Sequence, residues 1–505
     1  MKLTKLSTWV MAVLLLGCSI QPRIAQAQEL SLDDALAQAL GKNPNILRYQ
    51  AAVSEKKYEQ RAAKGLYFPK IALTGMAVAM SENLHLDLNP VKDAITPLYG
   101  ALGHFGNFSG VPNPDPNTSG VMPILPDNIS TQAVRGSLLE GLGKIESAEW
   151  DKMIQKKQFA SLSAGVVLPI YTGGKITAAN HAAKIETHEA ELELTKVESE
   201  LLVNVVDQYY GLVLSNELLQ VRKDVFTTMQ KHFDEANKLQ AEGIIAQAEL
   251  LHAKVYLADA TRELHKAEQQ LDIVQQALRA TLNLDAETTI TPRSKLFYLT
   301  DIDPISVFLG DIKAESPLLA LVESKQHLAE ENIRLHKSEF LPTVVLMGNV
   351  NIVNKDLSPY MPDMMVGVAI NWTLFDGLAN VNKYKASQQK KIQAENAYVS
   401  VSHDLETAVT KYYKEQDMYR NQIQELGDSR KFADEYFRSQ EKAFAEGMAT
   451  STQIADAGLL VAKARIEQLS AMYEYQKSLV RLLMYAGKSA SFATYASGAN
   501  AKGIE

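Results

Sequence analysis

The sequence has a single cysteine in 505 residues, Cys18, so no intramolecular disulfide can staple the fold and the folded body has no thiol for catalysis. It has no basic excess. Its 51 lysines and arginines face 59 aspartates and glutamates, a formal net charge of −8, which argues against a nucleic-acid binder with its positive contact surface. Long apolar runs are missing beyond the N-terminus and the mean hydropathy is −0.14, which excludes a bundle of membrane-spanning helices. The same scarcity is compatible with a membrane β-barrel, whose strands need about 9 to 11 residues alternating between lipid and lumen. Proline is absent from two long tracts, 175–241 and 378–446. What is present, 46% hydrophobic and 22% charged residues, is enough to bury a large interior and excludes a disordered chain.

The N-terminus sets the compartment. Lys2 and Lys5 precede the apolar run Trp9–Leu16, and Ala25-Gln26-Ala27 supplies a small-x-small cleavage site, the pattern of a secretory signal peptide over residues 1–27. The mature chain is then expected to begin at Gln28. A second reading stays open, because Leu15-Leu16-Gly17-Cys18 has the form of a lipobox that would make Cys18 an acylated membrane anchor. Both readings export the chain.

The sequence also repeats itself. Arg61-x-x-Lys64-x-x-x-Phe68-Pro69 is answered by Arg334-x-x-Lys337-x-x-x-Leu341-Pro342, and Asn43-Pro44 by Ser316-Pro317, both at an offset of 273. Pro169-Ile170-Tyr171-Thr172-Gly173 is answered by Thr373-Leu374-Phe375-Asp376-Gly377, and Ala241-Glu242-Gly243 by Ala445-Glu446-Gly447, both at 204. The offsets differ by 69, so one insertion between Pro69 and Tyr171 reconciles them. The implied division is a first repeat over 28–290 carrying an inserted segment at about 81–150, a second repeat over 291–490, and a C-terminal tail over 491–505.

Each repeat reads as helix, strand, strand, long helix, turn, helix. Ser31 with the acidic pair Asp33 and Asp34 opens the first helix, with Leu36, Leu40, Ala51 and Tyr58 at helical spacing; its counterpart is expected to start near Ile312. Leu194, Val197, Leu201, Val205, Leu212 and Leu219 follow coiled-coil spacing, and the two proline-free tracts predict helices on the order of 100 Å long. Gly243 and Gly447 end those helices with residues able to take positive φ. Between the helices, Leu162 to Ile170, Val344 to Ile352 and Met364 to Trp372 alternate apolar with small or polar residues, and Ile71 to Met80 does so less regularly. Four strands cannot close a barrel, for which about eight are needed. The protomer must associate, and of eight or twelve strands the larger number leaves a wider lumen.

The duplicated plan, Asn43-Pro44, the proline opening the first strand of each pair, Trp372-Thr373-Leu374-Phe375-Asp376-Gly377 and the Ala-Glu-Gly before each final helix together resemble the TolC-like outer membrane efflux proteins. The resemblance implies an α+β membrane protein, a homotrimer whose twelve-stranded β-barrel in the outer membrane of a Gram-negative bacterium continues into a long periplasmic α-helical barrel. It implies a passive channel-tunnel of a tripartite efflux or type I secretion system, with a periplasmic membrane-fusion adaptor and an inner-membrane RND or ABC transporter as partners. It implies contact with outer membrane lipid, no nucleic acid, no cofactor and no enzymatic activity. In some relatives, acidic residues just after the second turn ring the periplasmic entrance; the matching positions are Gln453 and Asp456, with Glu249 the corresponding acid of the first repeat. Relatives also lock this end with a tyrosine and an arginine, at places occupied here by Phe444 and Ala449. The insertion, lying between barrel strands, is expected at the cell-exterior end as a surface loop or a lid, with a helical stretch over about 131–158.

Other chemistry was sought in the residues. Gly136 to Ile145 has the wrong spacing for a phosphate loop, His181 and His188 are seven apart rather than the four of a helical zinc pair, and Gly106-Asn107-Phe108-Ser109-Gly110 is not a nucleophile elbow. The pairs Tyr209-Tyr210 and Tyr412-Tyr413 read as helix packing. The alternative reading is a periplasmic coiled-coil adaptor or scaffold, which also needs export and long helices but has no use for strand pairs between them.

Overall fold

The structure, a computed structural model, describes residues 27–104, 129–446 and 448–503. The leader with Cys18, the proline-rich run Pro112–Pro116, the Gly106–Gly110 stretch and Gly447 lie outside the described residues. The first repeat comprises β1 (Ala27–Leu30), α1 (Leu32–Lys42), α2 (Pro44–Lys64), β2 (Lys70–Ala79), β3 (Leu84–Asp87), α3 (Asn89–Gly103), α4 (Ile129–Ser147), β4 (Asp151–Gln155), β5 (Gln158–Tyr171), α5 (Lys175–Ala241) and α6 (Gln247–Leu282). The second comprises β6 (Thr289–Pro292), β7 (Tyr298–Leu299), α7 (Ile305–Glu315), α8 (Pro317–Ser338), β8 (Thr343–Lys355), β9 (Met364–Asn371), α9 (Ala379–Ala445) and α10 (Ser451–Tyr485), followed by α11 (Phe492–Ser497) and β10 (Ala501–Lys502). The chain separates into a helical unit and a sheet unit, the latter made of Lys64–Ile176 and Lys337–Gly377. Each unit therefore draws on both repeats.

Local chemistry sets the helix boundaries. The Ser31 hydroxyl accepts from the Asp34 amide at 3.1 Å and the Asp34 carboxylate reaches back to the Ser31 backbone, a capping box that starts α1. The opening segment is two helices rather than one. Asn43 accepts from the Asn45 amide at 2.9 Å and Pro44 has no amide to donate, so α1 stops and α2 restarts on proline at its first position. Ser316-Pro317 divides α7 from α8 in the same way, and that counterpart begins at Ile305 rather than near Ile312. Tyr58 and Ala51, placed by spacing on an apolar face, are exposed in the protomer.

In the sheet unit the four strands form one antiparallel sheet in the order β2-β5-β8-β9, with β2 and β9 as open edges among the described residues. Register aligns chemistry across it. Leu73, Ala164, Val350 and Met364 share one row, and Ile71, Val166, Gly348 and Val366 the next on the same face, whereas Thr74, Ser163 and Asn351 form a row on the other. One face is thus apolar and the opposite one carries the polar residues, Thr74, Ser163, Asn349 and Asn351, mixed with Val167, Met347 and Met365, the uneven alternation of a strand facing two solvents. The apolar face is open, with Ile71 at 72% and Ile370 at 70% exposure. The inserted segment has structure of its own: β3 and β4 pair, and α3 packs on α4 so closely that a Cβ on Gly103 would meet the Leu139 side chain at 2.7 Å. Its expected helical stretch to residue 158 stops at Ser147, where the Trp150 indole N–H donates to the Ile145 carbonyl at 2.7 Å and the chain turns into β4. Gly136–Ile145 lies within α4 and is no phosphate loop.

In the helical unit α5 and α9 run 67 residues each, about 100 Å. Val197, Val205 and Leu212 of the expected seam are buried. Among the described residues no helix is long and apolar enough to cross a membrane. The core gathers where Tyr209 and Tyr210 meet the ends of several elements: the Tyr209 hydroxyl donates to the Leu30 carbonyl at 2.9 Å, and Tyr210 packs edge-on against Phe297 and Phe492. Beside it, β1 pairs in parallel with β6 and β7 pairs antiparallel with β10. The segment after residue 490 is not a loose tail, since Phe492 is fully buried.

Candidate functional site

The two long helices end in matching turns. At the end of α5 the Ile244 amide donates to the Leu239 carbonyl and the Gly243 amide to the Gln240 carbonyl, both at 2.9 Å, with Gly243 at φ 72°. This is a Schellman end, which needs a residue free of Cβ strain at that position. At the end of α9 the equivalent bond, from the Met448 amide to the Ala443 carbonyl, measures 2.8 Å. Ile244 and Met448, one on each turn, are exposed.

The candidate residues meet on the seam between α6 and α10. The Glu249 carboxylate accepts from the Ser451 amide at 3.2 Å, so an acid of the first repeat neutralises an orphan donor of the second repeat's last helix. Asp456 accepts from the Tyr256 hydroxyl at 3.1 Å, one to two turns further along. Burial and the Asp456 carboxylate hold the Tyr256 phenol above its ordinary value. Gln453 has a different job from a charge: its side chain accepts from the Thr450 amide at 2.7 Å while the Thr450 hydroxyl accepts from the Gln453 amide at 3.3 Å. The amide at this position completes a capping box for α10.

Three residues at this end were not singled out from the sequence. His232 on α5 is 3% exposed, with Nε2 at 2.6 Å from the Ser451 hydroxyl. Its signal was legible, because Val221, Val225, Met229, His232 and Ala236 recur at the four- and three-residue steps of a buried stripe and all five are buried. Thr450-x-x-Gln453 likewise has capping-box spacing. Tyr256 carries no such signal; its role comes from the pairing of α6 with α10. Phe444, where relatives have a locking tyrosine, is buried with its ring 4.9 Å from that of His232. Further from the turns, Arg465 of α10 pairs with Asp224 of α5 at 3.1 Å.

The remaining candidates behave as helix surface. His181 approaches Glu331 at 3.3 Å with half its side chain exposed, and His188 lies 3.9 Å from Glu191. Among the described residues there is no group of three or more histidines, cysteines and carboxylates arranged to hold a metal ion.

A duplicated helix–strand–strand–helix chain with an open four-stranded sheet and paired 67-residue helices defines a class of export-channel protomers. The family model described as outer membrane efflux protein matches residues 150–284 and 308–488, and the chain belongs to that family. Outer membrane protein TolC of Vibrio cholerae is 23% identical over 316 residues, 59% of this chain and 70% of that protein. The cobalt-zinc-cadmium resistance protein CzcC of Cupriavidus metallidurans is 22% identical over 333 residues, 65% and 78% of the two chains. Among solved structures, a membrane protein from Pseudomonas aeruginosa superposes with a TM-score of 0.69 at 14% identity, over 90% of each chain. The Campylobacter jejuni CmeC outer membrane channel does so at 0.68 and 12%, over 91% of this chain and 86% of that one. The chain is therefore an outer membrane protein that extends into the periplasm, and its class of function is efflux.

Proposed function

We propose that three copies of this chain form a channel-tunnel that conducts cargo passively from an inner-membrane RND or ABC transporter and a periplasmic adaptor to the exterior, in a tripartite efflux or type I secretion system. The observation that carries this reading is the sheet: four antiparallel strands, two unpaired edges, and a face of Ile71, Leu73, Val366, Val368 and Ile370 left open. An exposed apolar face and unpaired edges are both costly in water. Joining edges between copies satisfies the backbone donors and acceptors, and lipid covers the face. Three copies give twelve strands and a lumen lined by the row of Thr74, Ser163 and Asn351. The same arithmetic favours a barrel over a scaffold. In this reading the α5–α6 and α9–α10 turns, Gly243 and Gly447 among them, form the periplasmic end. Asp456 and Glu249 stand near the entrance, and selection of cargo belongs to the transporter.

The test uses the lack of cysteine in the mature body. With Cys18 replaced, Thr74→Cys and Asn349→Cys place thiols on the lumen face, and Leu73→Cys and Val366→Cys place them on the lipid face. Labelling of the first pair by a water-soluble maleimide in purified, heat-modifiable trimer, with protection of the second, is the expected outcome. A monomer labelled on both faces would overturn the reading.

A further inference from the structure

His232 is an ionisable side chain placed where its charged form has little to hold it. It lies three residues before Glu235 and one after Lys231 on α5, and the cleft beside it is closed by Glu441 and Phe437 of α9 and by Ile454 and Ala455 of α10. The Phe444 ring covers it from the end of α9. From α6 the charged neighbour is Glu249, whose carboxylate is engaged by the Ser451 amide. Lys231 is drawn off to Glu441 at 3.3 Å. Nε2 has the Ser451 hydroxyl, but Nδ1 is buried with no hydrogen-bond partner among the described residues. A neutral imidazole carries one N–H and can leave the other nitrogen as a bare lone pair; the imidazolium has N–H on both and would bury an unmatched donor with its charge.

We propose that His232 is a positioning residue of the turn end: its neutral ring docks the first turn of α10 onto α5 through Ser451, and its protonation releases that turn. Ser451 is the hub, since its hydroxyl meets His232 and its amide meets Glu249, so one residue ties α10 to both α5 and α6. Loss of the His232 contact leaves α10 held near its start by the Glu249–Ser451 amide bond, by the Thr450–Gln453 cap, which is internal, and by the Asp456–Tyr256 bond.

The electrostatics point the same way. Burial pushes the His232 ring below its ordinary value of 6.5, against a smaller upward pull from Ser451 and the Glu249 carboxylate. For a base whose folded value is lowered, the docked state is fully favoured above 6.5. Its advantage is lost as pH falls below 6.5 and through the lowered value. Mild acidity, where carboxylates remain charged, is therefore the signal.

Release also has a transport consequence, an entrance that opens more readily in acid, and that part rests on the channel reading. The experiment measures two quantities on the full-length protein in detergent. Hydrogen exchange of residues 450–456, corrected for intrinsic rates, is compared at about pH 7.5 and about pH 5.5, together with pore conductance in planar bilayers. In the wild type, exchange rises by up to about tenfold, the ceiling that linkage sets for one pH unit, and conductance rises with it. His232→Gln, which keeps a hydrogen-bonding side chain without titrating, shows no pH step. Ser451→Ala, which preserves the helix and removes the docking hydroxyl, exchanges fast at both values. A wild type with no step, or a His232→Gln variant with the full step, would overturn the latch. If the exchange results hold but no pore forms at either pH, the latch stands and the channel reading fails.

Discussion

Asp456 illustrates how a residue's role depends on its partner rather than its charge. Its carboxylate accepts from Tyr256 across the seam, so removing the charge changes two things, the local field, which in the proposed channel is that of the entrance, and the grip of α10 on α6. Tyr256→Phe changes the second alone. If the proposed trimer forms, Asp456→Asn is expected to reduce cation selectivity and weaken block by multivalent cations in single-channel recordings, because three copies of the carboxylate would lose their attraction together, whereas Tyr256→Phe leaves selectivity intact. Equal selectivity in Asp456→Asn and wild type would remove this residue from the entrance. At the same scale, the sequence placed Asp456 and Glu249 after the turns as candidates for a charged ring, while the partners they have in the protomer, Tyr256 and the Ser451 amide, come only from the pairing of α6 with α10. Gln453 was visible as a departure from the acidic pattern, yet its capping bond depends on Thr450, which pattern-matching to acidic rings passes over. The burial of His232 was legible from its stripe, but its partner was not: a polar residue on a buried stripe looks like a lapse in it until the neighbouring helix supplies a group such as the Ser451 hydroxyl.

At the scale of the element, helix ends are where this chain is most constrained. Helix α10 finishes with a second Schellman arrangement, the Lys488 amide to the Leu483 carbonyl at 2.7 Å and the Gly487 amide to the Met484 carbonyl at 3.0 Å. Gly487 sits at φ 84°, and a Cβ there would overlap the Glu315 carbonyl at the end of α7. Gly487→Ala thus combines left-handed strain with a backbone clash and is expected to cost about 3 kcal/mol, read as a lower unfolding temperature of the detergent-solubilised protein. Gly243→Ala, with nothing near its Cβ, bears the strain alone, about 1 to 2 kcal/mol. The long helices were readable to within a residue from the missing prolines and the flanking glycines. The breaks at Asn43-Pro44 and Ser316-Pro317 were present as motifs, but their effect, a new helix on each proline, was not drawn from spacing alone because apolar periodicity runs on across both. The α3–α4 hairpin was less legible, since Gly103 and Gly141 look like loop residues and act as contact points between helices.

The whole molecule was legible in its duplication and its strands, and less so in its closure. Alternation in Leu162 to Ile170 and Met364 to Trp372 marked two faces, and the register confirms that these faces align across all four strands. Residues 491–505 read as a tail because they are short and weakly patterned. Packing decides otherwise: Phe492 is buried against Tyr210 and Phe297, the Tyr495 hydroxyl donates to Asp303 at 2.5 Å, and β10 joins β7. Truncation before Phe492 exposes that aromatic cluster and is expected to lower the yield of folded protein, and with it of the proposed trimer, at least severalfold, measured by heat-modifiable migration of outer-membrane fractions. An unchanged yield would show the segment to be dispensable.

That placement bears on how the molecule is made. The aromatic cluster is completed by Phe492 and lies against Leu30 of β1, so segments far apart in the sequence close one core. A chain delivered N-terminus first cannot finish this core until Phe492 has emerged. Until then the long helices wait with their shared hydrophobic hub exposed, a period in which misassembly competes with folding.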